Sequence, residues 1–225
     1  MCFPGFHARV RPMKPPSRSA GLRPPVVLRC LLLLGLSVFA GLPAGATTVE
    51  PPDFPKLVAR ASNVFRGEVV GLRSEIVTRG AERAIFTHVT FRVIEVIRGA
   101  PLPAEVTLEF LGGTVGDLSM EVAGMPTFEP GAREILFVER AGPQICPLVA
   151  MAYGRFRVLR DVTGADYVAR DNGVPLSRLE DVSLPLTSPA FAMFTARQTL
   201  ARTRPLSPAD FSAAVLAEAV RARLP

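Results

Sequence analysis

Two side chains in the sequence could support nucleophilic catalysis, the cysteine Cys146 and the histidine His88. Cys146 lies between the prolines of the run PQICP, and a thiolate that is activated by an imidazole base is an effective nucleophile. His88, however, lies inside an alternating β run, and no G-x-S-x-G turn suggests a serine hydrolase. The sequence therefore leaves a secreted hydrolase that uses Cys146 and His88 as an alternative and assigns no catalytic residue.

The stretch between Leu111 and Glu134, which we call the loop segment, holds further groups that could react or bind. Asp117 and Glu121 could form a carboxylate pair for glycoside hydrolysis or bind calcium, but they lack the spacing of an EF-hand. The run LGGTVG has the glycines of a phosphate-binding loop without its Gly-Lys-Ser/Thr ending, and the chain has too few histidines for a zinc site. We therefore predict no metal and no cofactor, and a hydrolase built on the loop carboxylates stays a second form of the alternative.

The loop segment also carries apolar side chains where a connection is expected to be polar: Leu118, Met120, Met125 and Phe128. Folding back onto the domain is the commoner outcome for such residues, and contact with a partner is the other. The connection is longer than two strands need, and its glycines and prolines indicate a loop with a defined shape. The flexible side chain of methionine can adjust to the surface of a partner protein. The four residues are the candidate binding site, and they either contact a partner protein or close one end of the domain.

Alternating apolar residues on both sides of the loop segment predict the strands that position it. The clearest run, 84–97, places Phe91 and Val93 on its buried side, and Arg79, Gly80 and Ala81 before it indicate a hairpin turn. Further strands are predicted at 64–72, 106–110, 135–138, 154–160 and 167–170. About six short strands joined by turns predict a mainly β fold, a single antiparallel OB-like barrel or a sandwich.

Helices are predicted at both ends of this β region. Asp53 is a typical N-cap for a short helix that ends near position 61, and Ser207 caps a helix that runs to about position 223. Phe211, Val215 and either Leu216 or Val220 are expected to form the core face of the second helix. We thus divide the chain into a β-barrel domain at 47–173 and, in the same domain, a wrapping segment and C-terminal helix at 174–225.

The first 46 residues have the pattern of a secretory signal peptide. Arg23 and Arg29 precede an apolar run at 31–42, and Ala44-Gly45-Ala46 provides a cleavage site. The apolar run is shorter than the roughly 20 residues that a membrane span requires. The sequence therefore predicts cleavage after Ala46, an exported domain in the periplasm or outside the cell, and no membrane span after cleavage.

Charge and cysteine content narrow the function of the remaining chain. The predicted leader contains six basic residues and no acidic one, so basic and acidic side chains balance in the rest, and nucleic-acid binding is not expected. Cys146 is the only cysteine outside the leader, which excludes an internal disulfide. The stability of the domain must therefore come from the burial of apolar side chains.

Several motifs of the β region resemble those of uncharacterised secreted bacterial β-barrel proteins. These are VFRGEVV at 64–70, TFRVIEVIRG at 90–99, Gly112-Gly113, Gly124-Met125-Pro126, LFV at 136–138 and GRFRV at 154–158. More loosely, the order of G-x-V and V-x-E-V-x-x-G is similar to netrin and TIMP-like OB-fold domains. That resemblance implies a closed barrel that binds protein, in some cases a metalloprotease. Those inhibitors use an N-terminal cysteine and disulfides, and the predicted mature start near Thr47 has neither.

We predict from these observations an exported, non-catalytic binding domain that contacts a protein, with a protease as one candidate partner class. The alternatives are the secreted hydrolase described above and a structural component of the cell envelope.

Overall fold

The computed structural model describes residues 50–79, 82–139 and 144–224. The chain from Thr48 onward forms one compact unit. The predicted signal peptide at 1–46 and the centre of the predicted hairpin turn, Gly80 and Ala81, lie outside the described residues. Among the helices that the described ranges contain, none has the length and apolar character needed to cross a membrane.

The fold is mainly β, as predicted, and six strands form its antiparallel sheet. These strands are β1 (Asn63–Arg79), β2 (Glu82–Arg98), β3 (Glu105–Leu111), β6 (Arg133–Val138), β7 (Arg155–Arg160) and β8 (Asp166–Arg170). They lie side by side in the order β3-β2-β1-β6-β7-β8. Two short strands, β4 (Gly113–Val115) and β5 (Leu118–Met120), form a separate hairpin within the loop segment.

The sheet is not closed in the described residues, so the barrel predicted from the sequence is not observed. The reason lies at the outer edge of β8, which pairs with the wrapping segment and not with β3. Arg170 N donates to Val174 O at 2.9 Å, and Leu176 N donates to Val168 O at 2.9 Å. Leu206 O in turn accepts from Val168 N at 2.9 Å. The C-terminal part of the chain thus occupies the edge that a barrel would use for closure.

β1 and β2 form one long hairpin of 17 residues in each strand. Their pairing register shifts between Arg66 and Gly67 and again between Val69 and Gly71, and a glycine inside a strand often marks such an irregularity. A Cβ atom at Gly67 would lie 3.0 Å from the carbonyl oxygen of Arg92, so the two backbones approach closely there. The shifts bend the long strands across the domain.

One face of the sheet is covered by α1 (Phe54–Arg60) and α3 (Pro208–Arg221). The predicted caps are confirmed, since Asp53 Oδ1 accepts from Lys56 N at 2.8 Å and Ser207 Oγ accepts from Asp210 N at 3.1 Å. Phe211 is fully buried in this helix-covered cluster. Its ring lies 4.9 Å from that of Phe156, between ring centroids.

The predicted core face of α3 is correct for two residues and wrong for the third. Phe211 and Val215 are buried, whereas Leu216 and Val220 are exposed. Ala219 completes the buried stripe, because residues four apart lie on the same side of a helix. The large side chains at 216 and 220 therefore point away from the sheet.

The opposite face of the sheet holds a second hydrophobic cluster. Its buried members come from β1, β2, β3, β6 and the chain after β6: Phe65, Val69, Val89, Phe91, Leu108, Phe110, Leu136, Val138 and Leu148. The predicted burial of Phe91 is confirmed, and Val93 is partly buried against the same cluster. In the described ranges, the side chains that pack against this cluster come from strands and loops, among them Met125 and Phe128 of the loop segment.

A third α-helix, α2 (Pro189–Arg202), lies in the wrapping segment, for which the sequence analysis predicted no helix. That prediction was wrong because only Ala192 of this helix is buried, so the sequence contains no apolar stripe of helical period. The sequence does contain one indication of a helix start here, the pair Ser188-Pro189, because α3 also begins with a serine followed by a proline.

Candidate functional site

The loop segment is anchored at its start by the β1–β2 hairpin. Thr87 Oγ1 donates to the carbonyl oxygen of Gly112 at 2.7 Å and lies 2.9 Å from Ser74 Oγ. Gly113 has a φ of +131°, and a Cβ atom at this position would collide with both hydroxyl groups. The β4–β5 hairpin that follows is therefore a shaped projection with a fixed base.

The second half of the loop segment folds back over the second cluster. Gly131 N donates to Val69 O at 2.8 Å, and Ala152 N donates to Gly124 O at 3.2 Å. Between these two attachment points, the Phe128 ring lies 4.8 Å from that of Phe110 and 5.4 Å from that of Phe91, measured between centroids. The aromatic ring of Phe128 is thus part of the cover of this face.

A cavity of about 420 Å³ is left between the β4–β5 hairpin, the ends of β2 and β3, and the second half of the loop segment. Three of the four predicted binding residues, Met120, Met125 and Phe128, line it together. The fourth, Leu118, lies on β5 outside the lining and is 58% exposed. Val89, Phe110, Leu111 and Val122 add further apolar lining.

The polar groups of this loop cavity are largely occupied by one another. The Thr87 hydroxyl donates to Gly112, and Thr114 Oγ1 and Ser119 Oγ lie 3.2 Å apart. Glu121 is the one carboxylate among the lining residues, and it is exposed. Binding pockets commonly measure about 300–1,000 Å³ and are mostly apolar. The loop cavity therefore suits an apolar group and offers little for a charged one.

A larger groove of about 790 Å³ lies between α1 and α3. Its lining is more polar and includes Asp53, Glu180, Glu218 and Arg221. Arg221 is paired with Glu218, and Lys56 lies 3.5 Å from Asp53. Because most of its charged groups are paired with a neighbour and none of the predicted site residues lines it, we place the candidate site in the loop cavity.

The structure does not bring Cys146 and His88 together. Cys146 packs against the second cluster, on the side of the sheet to which Val89 points. Successive strand residues point to opposite faces, so His88 lies on the other side, where its Nε2 is 2.9 Å from Glu75 Oε1. Burial raises the pKa of the Cys146 thiol to about 11, which keeps it protonated and unreactive at neutral pH.

The two loop carboxylates that could have formed a hydrolase or calcium site, Asp117 and Glu121, are exposed and contribute no enclosed chemistry. Asp117 lies in the two-residue turn between β4 and β5, and Glu121 lies at the edge of the loop cavity. Within the described ranges, no group of three histidine, cysteine, aspartate or glutamate residues is arranged to hold a metal ion.

A buried ion network that was not predicted from the sequence supports the loop cavity. Arg155 Nη2 and Nε donate to the two carboxylate oxygens of Glu134 at 2.7 and 3.1 Å, and Arg155 Nη1 donates to Asp171 at 2.8 Å. The guanidinium carbon lies 4.6 Å from the centre of the Phe128 ring, which is a cation–π contact. The network therefore links β6 and β7 to the aromatic wall of the cavity.

Burial is the main influence on both charges of this pair. It raises the pKa of Glu134, which is fully buried, and the Arg155 guanidinium opposes that rise. Burial lowers the pKa of Arg155, but the carboxylates of Glu134 and Asp171 outweigh it and raise the pKa above its usual value. A signal for the pair was present, since alternation along β6 places Glu134 on the same face as Leu136 and Val138.

No protein-family model matches this chain, and no curated protein matches it. The evidence for its function therefore comes from the chemistry of its own residues.

Proposed function

We propose that this chain is an exported, non-catalytic binding domain whose loop cavity accepts an apolar side chain of a partner protein. The observation that carries the proposal is the cavity itself, about 420 Å³ of space lined by Met120, Met125 and Phe128 on an otherwise well-packed sheet. An apolar group that enters this mostly apolar cavity leaves water and gains packing contacts with the walls.

The walls of the loop cavity combine rigid and adaptable parts. Phe128 is held by two aromatic neighbours and by the Arg155 guanidinium, and the hairpin is fixed at Gly113. Met120 and Met125 have flexible thioether side chains that can adjust to the shape of an incoming group. The fixed walls avoid part of the entropic cost of binding, and the methionines let the site tolerate variation in the bound side chain.

Exposed apolar side chains beside the cavity favour a protein over a small molecule. Leu118 on β5 is 58% exposed, and so is Ile145, whose carbonyl oxygen accepts a hydrogen bond from the cavity residue Leu111. A small molecule inside the cavity would leave both in water. A partner protein would cover them while one of its own side chains fills the cavity, as is typical of interface anchors.

The resemblance to netrin and TIMP-like domains agrees with this proposal, and a protease is one candidate partner class. In this proposal the six-stranded sheet corresponds to an OB-like barrel that has stayed open between β3 and β8. Because no cysteine lies near Thr47, a protease would be bound through the loop cavity and not through a metal-binding N-terminus. Export through residues 1–46 belongs to the same proposal, since it decides which partners the domain meets.

Selection from a library of random displayed peptides tests the proposal. The wild-type chain and a Ser119→Trp variant serve as baits, because a large indole at this lining position is expected to obstruct the cavity. Val162→Trp is the matched control, since Val162 is wholly exposed in the turn between β7 and β8. We expect peptides with a common large apolar residue to bind the wild type and the control, and to bind Ser119→Trp at least about tenfold more weakly, which corresponds to ~1.4 kcal/mol.

Two outcomes would contradict the proposal. One is that no peptide is enriched on the wild-type chain above the background of a selection without bait. The other is that the enriched peptides bind Ser119→Trp as tightly as the wild type, because binding would then lie outside the cavity.

A further inference from the structure

The helix α2 exposes several large apolar side chains, among them two phenylalanines. Phe191 and Phe194 are each 58% exposed, and Met193 between them is 62% exposed. All other phenylalanines in the described ranges are buried or half-buried. Leu184 before the helix and Leu200 near its end are exposed as well. Large contiguous apolar patches on a protein surface usually mark a site of interaction.

These side chains cover a broad side of the helix and not a narrow stripe. At 3.6 residues per turn, Phe194 and Arg197 lie opposite the buried Ala192, with Phe191 and Met193 on the two flanks. A protein groove generally takes residues at i, i+3, i+4 and i+7 along one line. A broad apolar side instead fits a lipid bilayer, because the lipids can rearrange around the exposed side chains.

The same segment carries uncompensated positive charge. From Asp181 to Asp210 the sequence has no acidic residue in between, and it contains Arg197, Arg202 and Arg204. In the part of the chain that the structure describes, none of these three arginines takes part in an ion pair. Elsewhere in the domain, arginines such as Arg60, Arg133 and Arg160 are paired with carboxylates.

We propose that this α2 surface, formed by Leu184 and residues 191–204, docks on the surface of an anionic phospholipid membrane. Phe191, Met193 and Phe194 enter the boundary between headgroups and acyl chains, and the arginines bind lipid phosphates. Aromatic and aliphatic side chains can enter this boundary, and basic side chains are attracted to anionic headgroups. A protein partner would have to supply both a broad apolar surface and several carboxylates, which a bilayer containing anionic lipid supplies without a specific fold.

The α2 surface and the loop cavity are built from different parts of the chain, so the two proposals can fail separately. α2 buries only Ala192 against the domain, and no residue of α2 lines the loop cavity. Variants of one surface therefore serve as controls for the other. Docking of this kind places the helix on the membrane and does not require a spanning segment.

Sedimentation with lipid vesicles tests the inference. A chain that begins at Thr48 is used, because this compact unit contains both hydrophobic clusters and lacks the apolar run at 31–42, which would itself enter lipid. The vesicles contain phosphatidylcholine alone or with about one quarter phosphatidylglycerol, at roughly 50 mM and 500 mM salt, since salt screens exposed charges. We expect binding to the mixed vesicles at low salt, and at least tenfold weaker binding to phosphatidylcholine or at high salt.

Two sets of variants separate the apolar and the electrostatic contributions. The double substitution Phe191→Gln with Phe194→Gln should weaken binding at least tenfold. The triple substitution of Arg197, Arg202 and Arg204 to glutamine should remove the preference for anionic lipid. The matched control is Leu216→Gln with Val220→Gln, which changes two exposed apolar residues of α3 and should leave binding unchanged. Circular dichroism should show melting temperatures within about 2 °C of the wild type for all of them, because surface substitutions have small effects on stability.

Several results would overturn the inference. These are no sedimentation with mixed vesicles, equal binding to phosphatidylcholine alone, or an equal loss in the α3 control. A concentration-dependent dimer that the phenylalanine variant abolishes, without vesicle binding, would assign the α2 surface to a second copy of the chain. Ser119→Trp should bind vesicles like the wild type, so a failure of the cavity proposal leaves this result unaffected.

Discussion

The two faces of the central sheet are covered in different ways. On the helix-covered face, Phe137, Phe156 and Phe211 are fully buried, with ring centroids 4.9 to 6.1 Å apart. On the other face, the cover is the loop segment, whose Met125 and Phe128 are only half-buried and leave a cavity of about 420 Å³.

The two faces differ in packing because different segments cover them, and not because the strands differ. Both faces present rows of buried Val, Ile, Leu and Phe from the sheet. A helix delivers apolar side chains at every turn of one side, as α3 does with Phe211, Val215 and Ala219. The loop segment delivers single apolar residues separated by glycine and proline, so it closes the face incompletely. Complete packing stabilises the domain, and incomplete packing leaves room for a ligand.

The largest expected effect concerns the buried aromatic residue at the centre of each face. Phe211→Ala on the helix-covered face and Phe91→Ala on the other should each cost about 3–5 kcal/mol of unfolding free energy, because each leaves a cavity in a packed cluster. That is a large part of a typical stability of roughly 5–15 kcal/mol. Urea unfolding checks both, and a Phe91→Ala midpoint equal to the wild type would show that the second face contributes no core.

The buried ion pair beside the loop cavity should come next. Glu134→Ala removes one partner of Arg155 and leaves a buried positive charge, which should cost about 3 kcal/mol in urea unfolding. Asp171→Ala, which removes the more exposed carboxylate of the network, is the matched comparison and should cost clearly less. Equal losses in the two variants would contradict a special role for the Glu134–Arg155 contact.

A charge at Met125 should affect both stability and binding. Met125→Asp places a carboxylate partly inside the second cluster and should lower the free energy of unfolding by about 1–3 kcal/mol, besides weakening the binding of selected peptides. Met193→Asp on the exposed side of α2 is the control and should leave the unfolding midpoint nearly unchanged. If Met125→Asp weakens binding at an unchanged midpoint, Met125 is a free contact surface and not part of the cover.

The smallest effect concerns Cys146 and appears only at alkaline pH. Burial raises its pKa from 9.0 to about 11, so above pH 9 the unfolded chain loses the thiol proton while the folded chain retains it. Stability should therefore decrease as the pH rises from about 9 to 11, and Cys146→Ala should lack this decrease. Thermal melts across this range provide the measurement, and a parallel decrease in the variant would exclude Cys146 as its source.

Reducing agent serves as a companion experiment on the same residue. Since Cys146 is the only cysteine outside the predicted leader, reductant at neutral pH should leave the melting temperature unchanged within about a degree. A larger shift would indicate a disulfide between chains.

The sequence predicted those parts of the fold that have a buried periodic pattern. The strands, the caps at Asp53 and Ser207 and the burial of Phe91 follow from alternation and from local hydrogen bonding. The helix α2 could not be found in this way, because it buries almost nothing. The sequence also could not predict that the sheet is open, because this depends on long-range pairing of β8 with residues near Val174 and Leu206.

The candidate site was predictable in composition but not in shape. Apolar residues at 120, 125 and 128 could be recognised as unusual for a loop, and the structure places all three around one cavity. Their common lining depends on the anchor at Gly113 and on the Arg155 contact with Phe128, which join residues far apart in the sequence. Leu118 falls outside the lining because it lies beside the turn of the β4–β5 hairpin, at the end opposite its base at Gly113 and Met120.

Nuclear magnetic resonance of methionine methyl groups can show whether a bound peptide occupies the loop cavity. Met120 and Met125 line the loop cavity, whereas Met193 lies on the exposed side of α2, so their ¹³C-labelled methyl signals report on separate surfaces. On titration with a peptide selected on the wild-type chain, the account predicts that the signals of Met120 and Met125 shift to saturation and that the signal of Met193 stays in place. A shift of Met193 alone, or no shift of Met120 and Met125 at saturating peptide, would contradict it.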